Sequence, residues 1–134
     1  LKFKDDRVRY FSEENQGAGA ARNFVIEKAE GEFIALLDAD DFWKPQYLTE
    51  IDKLLTSFPE GKVFATAIEL ETKGKTFPST YSLPDLTPGE VRVVDYFSAS
   101  FLNTILTSSS TVLHHSVFEK SGIIDNTPFV PFNS

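Results

Sequence analysis

Between residues 7 and 37 the spacing of apolar side chains leaves room for one arrangement above others: a strand, a crossover helix and a second strand. RVRYF, residues 7–11, alternates polar and apolar side chains as a half-buried strand does. EFIALL, residues 32–37, is a short apolar run suited to a strand covered on both faces. SEENQGAGA supplies turn formers, and from Ala18 to Glu30 the residues Ala21, Val25 and Ala29 recur every fourth position beside Phe24 and Ile26, with Gly31 as a stop. A connection of about a dozen residues through a helix is what a parallel pair requires. Both strands then end on one edge of the sheet, and the loops after Phe11 and Leu37 face the crevice where open α/β sheets bind ligands. The expected fold is therefore α/β with a mostly parallel sheet.

Further along, Pro45 suits the first position of a second helix, with Leu48, Ile51, Leu55 and Phe58 on one face. KVFATAIEL, 62–70, reads as one strand, and residues 71–89 as an irregular excursion or a hairpin with a long loop, KGK at 73–75 being solvated. Thr87 and Glu90 have capping-box spacing, and Val94, Phe97 and Phe101 extend a helix over 88–102. SSSTVLH, 108–114, is expected to be a strand, and Ser116 with Glu119 starts a short helix that Gly122 ends.

LLDADDFWKP, residues 36–45, carries the chemistry: three carboxylates in four positions leave an apolar run and meet two aromatics at once. If residues 38–40 stay extended, Asp38 and Asp40 point to the same side. Two hard carboxylates converging there begin a magnesium or manganese site, since these ions take a few protein oxygens and complete their shells with water and phosphate. The charge balance favours the same answer. Thirteen Lys and Arg against 20 Asp and Glu give a net charge of −7, which argues against nucleic acid or an anionic membrane as partner and requires a cation if a phosphorylated ligand binds. Gly17 and Gly19 allow backbone to approach a ligand, and Arg22 and Asn23 are expected in the first turn of the helix, where a diphosphate is favoured. DADD is not an EF-hand, because the third ligand position and the following glycine are missing. His114 and His115 read as structural or surface residues, and Phe97, Phe101 and Phe118 as core. The absence of cysteine excludes disulfides and thiolate metal sites, and no apolar stretch approaches the roughly 20 residues that span a bilayer.

With these residues in view, NQGAGAARNFVIEKAEGEFIALLDADDFWKP, 15–45, closely resembles the N-x-G-x-x-x-ARN to GEF-x-x-x-LD-x-DD-x-x-x-P stretch of the glycosyltransferase family 2 catalytic domain. The resemblance spans residues 5–58, with a weaker echo at SSTVLHHSVFEKSGIID, where Ile124 and Asp125 stand in place of the usual Phe-Asp. It implies a GT-A fold, three-layer α/β/α with a mostly parallel sheet, and transfer of a sugar from a nucleotide-diphospho-sugar, UDP-linked, to a glycan or other acceptor hydroxyl with inversion. DAD is similar to the family's D-x-D motif. The resemblance implies that Asp40 binds a divalent ion, Mn2+ or Mg2+, that Asp38 contacts the ion or the ribose, and that Asp41 is an outer partner or third ligand. Asn15, Gly17, Arg22 and Asn23 would line the donor side, while Phe42, Trp43 and Pro45 anchor the acidic loop. The family's first nucleotide-binding strands and its acceptor-side carboxylate base have no counterpart in residues 1–134, and the chain opens at Leu1 with no methionine anywhere. A partial domain is expected, inactive alone, with the base beyond Ser134, the truncated sheet free to self-associate, and a location in the cytoplasm or on the cytoplasmic face of a membrane. The alternative is a noncatalytic module that binds a nucleotide sugar or a divalent cation.

Overall fold

The computed structural model describes residues 4–78, 87, 89–95 and 107–121. The helices are α1 (Ala18–Lys28), α2 (Tyr47–Ser57) and α3 (Ser116–Ser121); the strands are β1 (Phe33–Ala35), β2 (Val63–Ala65), β3 (Glu69–Thr72), β4 (Lys75–Pro78) and β5 (Thr111–His114), with a 3-10 turn at Ser108–Ser110 just before β5. The architecture is mixed α/β, in two compact units.

The first unit comprises residues 1–34 and 115–134. Helix α1 occupies its expected span, but it buries Asn23 and Ile26 and leaves Val25 largely exposed, so its inner face is narrower than the Ala21-Val25-Ala29 stripe suggested. RVRYF is not a strand: residues 7–11 are irregular, with Val8 and Tyr10 exposed. A strand needs a ladder partner for its amides. Side chains hold this segment instead. Arg9 pairs with Glu30 and donates to the carbonyl of Lys28 at the end of α1, where a cation meets the helix dipole. The Phe11 ring sits edge-on to Phe24 at 6.0 Å. The parallel β-α-β pair inferred from 7–37 is therefore absent among the described residues. Within this unit the His115 amide donates to the Glu32 carbonyl at 2.8 Å.

The second unit runs from Ala35 to His114. Its core is Leu36, Tyr47, Ile51, Phe64 and Val112. Helix α2 packs against β2, starting two residues after Pro45, which lies in the preceding turn. Its buried residues are Tyr47 and Ile51, whereas Leu48 and Phe58, expected on the inner face, are exposed. The chain turns at Gly61, where an added Cβ would lie 2.4 Å from the buried Phe64 ring and 3.0 Å from the Phe58 carbonyl.

Strand β2 pairs antiparallel with β5, Phe64 opposite Val112, and β1 joins them in a three-stranded sheet ordered β1-β5-β2. Among the described residues the β2–β5 pair is antiparallel, and the expected mostly parallel sheet is not confirmed. KVFATAIEL divides into β2 and β3 rather than forming one strand. Strands β3 and β4 make a tight hairpin, not a long loop: Thr72 faces Lys75 across Lys73 and Gly74, both at positive φ (53° and 71°), as the two-residue hairpin turn demands. Half of the expected capping box forms: the Thr87 amide donates to Glu90 Oε2 at 3.1 Å, but the Glu90 amide donates to the Thr87 carbonyl rather than to its hydroxyl. The bond from Thr87, with Arg92, lowers the Glu90 carboxyl below its usual range. No helix follows over 89–95, however, and the rest of the expected helix, with Phe97 and Phe101, lies outside the described residues. Of SSSTVLH only the last four residues form strand. Phe118, His114 and His115 are half-buried. No helix among the described residues is long and apolar enough to cross a membrane.

Candidate functional site

Leu36 is buried at the end of the run that contains β1, and the chain then has to release three carboxylates into solvent. It does so in a β-turn: the Asp41 amide donates to the Asp38 carbonyl at 3.1 Å, so residues 38–40 are not extended and the same-side geometry of Asp38 and Asp40 does not arise. The turn separates the acidic residues by environment. Asp38 is half-buried, while Asp40 and Asp41 are exposed.

What fixes the turn is the 3-10 segment about 70 residues away in sequence. The Asp38 amide donates to Ser109 Oγ at 3.0 Å, the Ser108 hydroxyl donates to Asp38 Oδ2 at 2.8 Å, and Trp43 Nε1 donates to the Ser109 carbonyl at 2.7 Å. The serine segment is itself rigidly wired, because the Thr107 amide donates to Ser110 Oγ at 3.0 Å and the Thr111 hydroxyl to the Thr107 carbonyl at 2.8 Å. On its other side Trp43 stacks on Tyr47 with centroids 4.6 Å apart and planes 15° apart. Trp43 thus anchors the acidic loop. Phe42 does not, since its ring is 72% exposed. Ser108 and Ser109 were missed in the sequence because SSS was absorbed into the following strand. Three serines before a β-branched run are a turn signal, serine hydroxyls competing for nearby backbone groups.

Asn15, Gly17, Arg22 and Asn23, expected on the donor side, lie in the first unit. Gly17 precedes α1 with φ 94° and ψ 168°, a conformation nearly closed to other residues, and its amide donates to Asn15 Oδ1 at 3.0 Å. Because α1 begins at Ala18, Arg22 and Asn23 lie in its second turn, not its first; Arg22 is half-buried and Asn23 only 5% exposed.

Among the described residues no three or more ligating side chains gather into a metal cluster. An ion that arrives with a diphosphate requires less, because magnesium and its like are held by one or two carboxylates plus phosphate and water. The hard oxygens of Asp38, Asp40 and Asp41 on one short turn fit that demand.

The fold and site define a mixed α/β protein with an acidic turn pinned after strand β1. The sequence model of Glycosyl transferase family 2 matches residues 1–117, and the chain belongs to that family. It is 40% identical over 75 residues to a protein named as a glycosyltransferase, EpsH of Bacillus subtilis (strain 168), covering 56% of this chain and 22% of that protein. An uncharacterized glycosyltransferase of Rickettsia felis is 38% identical over 82 residues, or 59% of this chain and 13% of its own length. A further Bacillus subtilis protein, TuaG, named for teichuronic acid biosynthesis, is 47% identical over 45 residues, 33% of this chain and 18% of that protein. The chain therefore spans less than a quarter of the length of these relatives. No solved structure matches it.

Proposed function

We propose that this chain is the donor-binding part of a metal-dependent, inverting glycosyltransferase of GT-A type, which takes a sugar from a UDP-linked donor to an acceptor hydroxyl. The observation that carries the reading is the acidic turn: Asp40 and Asp41 exposed, and the turn itself held by Ser108, Ser109 and Trp43. Family membership supports the chemistry. In this reading Asp40 holds a Mn2+ or Mg2+ ion with help from Asp38 or Asp41, and Asp38 orients the ribose or the ion. Bound beside the diphosphate, such an ion supplies Lewis-acid stabilisation of the charge that develops on the leaving nucleotide. In this reading the chain's own contribution is a turn whose backbone Ser109 and Trp43 hold in place, so less loop entropy is spent in presenting the carboxylates. Asn15 and Gly17, by shaping the entry to α1, and Arg22 and Asn23 within it are assigned to the donor side. Self-association belongs to the same reading, because β3 and β4 are exposed along their whole length; light scattering that returns a monomer at all concentrations would remove it.

The test uses the full-length protein with UDP-sugars and a panel of acceptors, followed by mass spectrometry. Sugar transfer that requires manganese and is lost in Asp40→Ala is the expected result. Donor binding without transfer to any acceptor would favour a noncatalytic binding module, and binding indifferent to both manganese and Asp40 would refute the site.

A further inference from the structure

The three hydrogen bonds between the acidic turn and the serine segment do not all address the same kind of group. Two of them hold backbone and anchor: Ser109 Oγ accepts from the Asp38 amide, and the Ser109 carbonyl accepts from Trp43. These fix where the loop runs. The third goes from the Ser108 hydroxyl to the carboxylate of Asp38 at 2.8 Å. The Ser108 side chain is not needed to close its own turn: its carbonyl accepts the Thr111 amide, and the side-chain bonds of the turn run among Thr107, Ser110 and Thr111. Its hydroxyl bond therefore sets which way one carboxylate points, on a loop whose course is already determined by other contacts.

We propose that Ser108 is a positioning residue for donor binding, holding the Asp38 carboxylate in the orientation that meets the nucleotide-sugar or its ion; this rests on the donor-site reading above. A charge-assisted bond to a carboxylate is stronger than one between neutral groups, and removing the partner that orients an acidic ligand typically weakens binding by about 10- to 100-fold. The course of the loop is held by Ser109 and Trp43, so loss of the Ser108 hydroxyl is distinguishable from loss of the loop.

The experiment measures UDP binding to the full-length protein by titration calorimetry in the presence of manganese, and thermal unfolding of the same variants without ligand. Ser108→Ala is expected to bind UDP about tenfold more weakly or worse, to lose no more stability than Asp38→Ala, which breaks the same bond, and to be rescued by Ser108→Thr, which restores the hydroxyl. Ser109→Ala, which loses the bond from the Asp38 amide, is expected to lower the melting temperature instead. Wild-type affinity in Ser108→Ala, no recovery in Ser108→Thr, or a loss of affinity that simply follows a loss of stability would each overturn the proposal. Asp40→Ala separates the two levels. If it loses UDP while Ser108→Ala does not, only the positioning role fails; if it too binds UDP as wild type does, the donor site fails and the proposal with it.

Discussion

Replacing Trp43 by phenylalanine isolates one link in the frame that carries the acidic turn. The indole donates to the Ser109 carbonyl at 2.7 Å while its ring stacks on Tyr47 at 4.6 Å, and Ser109 is only 7% exposed. Phenylalanine keeps a ring for the stack, worth about 0.5–1.5 kcal/mol, and deletes the donor. The net hydrogen bond is worth about 1 kcal/mol, and a buried carbonyl left without this partner costs about 1–3 kcal/mol, so Trp43→Phe should destabilise by about 1–3 kcal/mol in all. In a domain of this size each kcal/mol lowers the melting temperature by about 3–5 °C. Trp43→Ala removes the stack as well and leaves a cavity, which brings the loss to about 3–5 kcal/mol. Trp43 is the single tryptophan, so unfolding in urea should be followed by far-ultraviolet circular dichroism rather than by fluorescence. A Trp43→Phe protein within about 0.5 kcal/mol of wild type would show that the indole bond does not hold the loop, and equal losses in the two variants would show that stacking contributes nothing.

Three other outcomes follow from the same geometry. Gly61→Ala should destabilise by about 1–3 kcal/mol in chemical denaturation, because its Cβ would meet the buried Phe64 ring at 2.4 Å with the Phe58 carbonyl at 3.0 Å behind it. The Tyr47 hydroxyl is buried and has no hydrogen-bond partner among the described residues, so Tyr47→Phe should be neutral or stabilising by up to about 1 kcal/mol. Burial raises the Tyr47 phenol above its ordinary 10.0, so its contribution is complete below that value; as pH rises past it the unfolded chain ionises first, and stability falls. Tyr47→Phe should blunt this alkaline loss, and identical pH profiles for the two proteins would contradict the burial of the phenol. Finally, because the lone Trp43 follows the acidic turn by two residues, its fluorescence should change when UDP and manganese bind together and stay constant in Asp40→Ala.

Helix positions were legible where periodicity and stop signals agreed, as in α1 between Gly17 and Gly31 and in α2 after Pro45. Which face they bury was not. Leu48 and Val25 fit the helical stripe yet face solvent, because the partner surface decides burial and periodicity only proposes it. RVRYF has strand alternation but no ladder partner, and its arginine and phenylalanine found α1 instead. The helix expected after Thr87 had only half of its capping box, which orders one turn without obliging residues 91–95 to continue it. Of the site, Asp38, Asp40, Asp41 and Trp43 were visible as an acidic loop with an aromatic anchor, whereas Ser108 and Ser109 were hidden by sequence distance. Local patterns report bonds between neighbours, and these two serines act across about 70 residues.

The turn at residues 38–41 alters how its three aspartates must be compared. In an extended strand end Asp38 and Asp40 would be equivalent ligands, whereas in the turn Asp38 is half-buried with its amide and carboxylate both engaged by serines and Asp40 is exposed. Asp40→Ala should therefore leave stability within about 0.5 kcal/mol of wild type, as exposed substitutions do, while removing any function that depends on a presented carboxylate. Asp38→Ala should cost stability as well, about 1–3 kcal/mol, because the Ser108 hydroxyl loses a charged acceptor in a partly buried place. Urea denaturation of the two variants, set beside their UDP affinities in manganese, distinguishes a turn with divided roles from a simple pair of ligands. If Asp38→Ala and Asp40→Ala lost stability and affinity to the same extent, the two aspartates would be acting alike, and the serine contacts that distinguish them would carry no energetic weight.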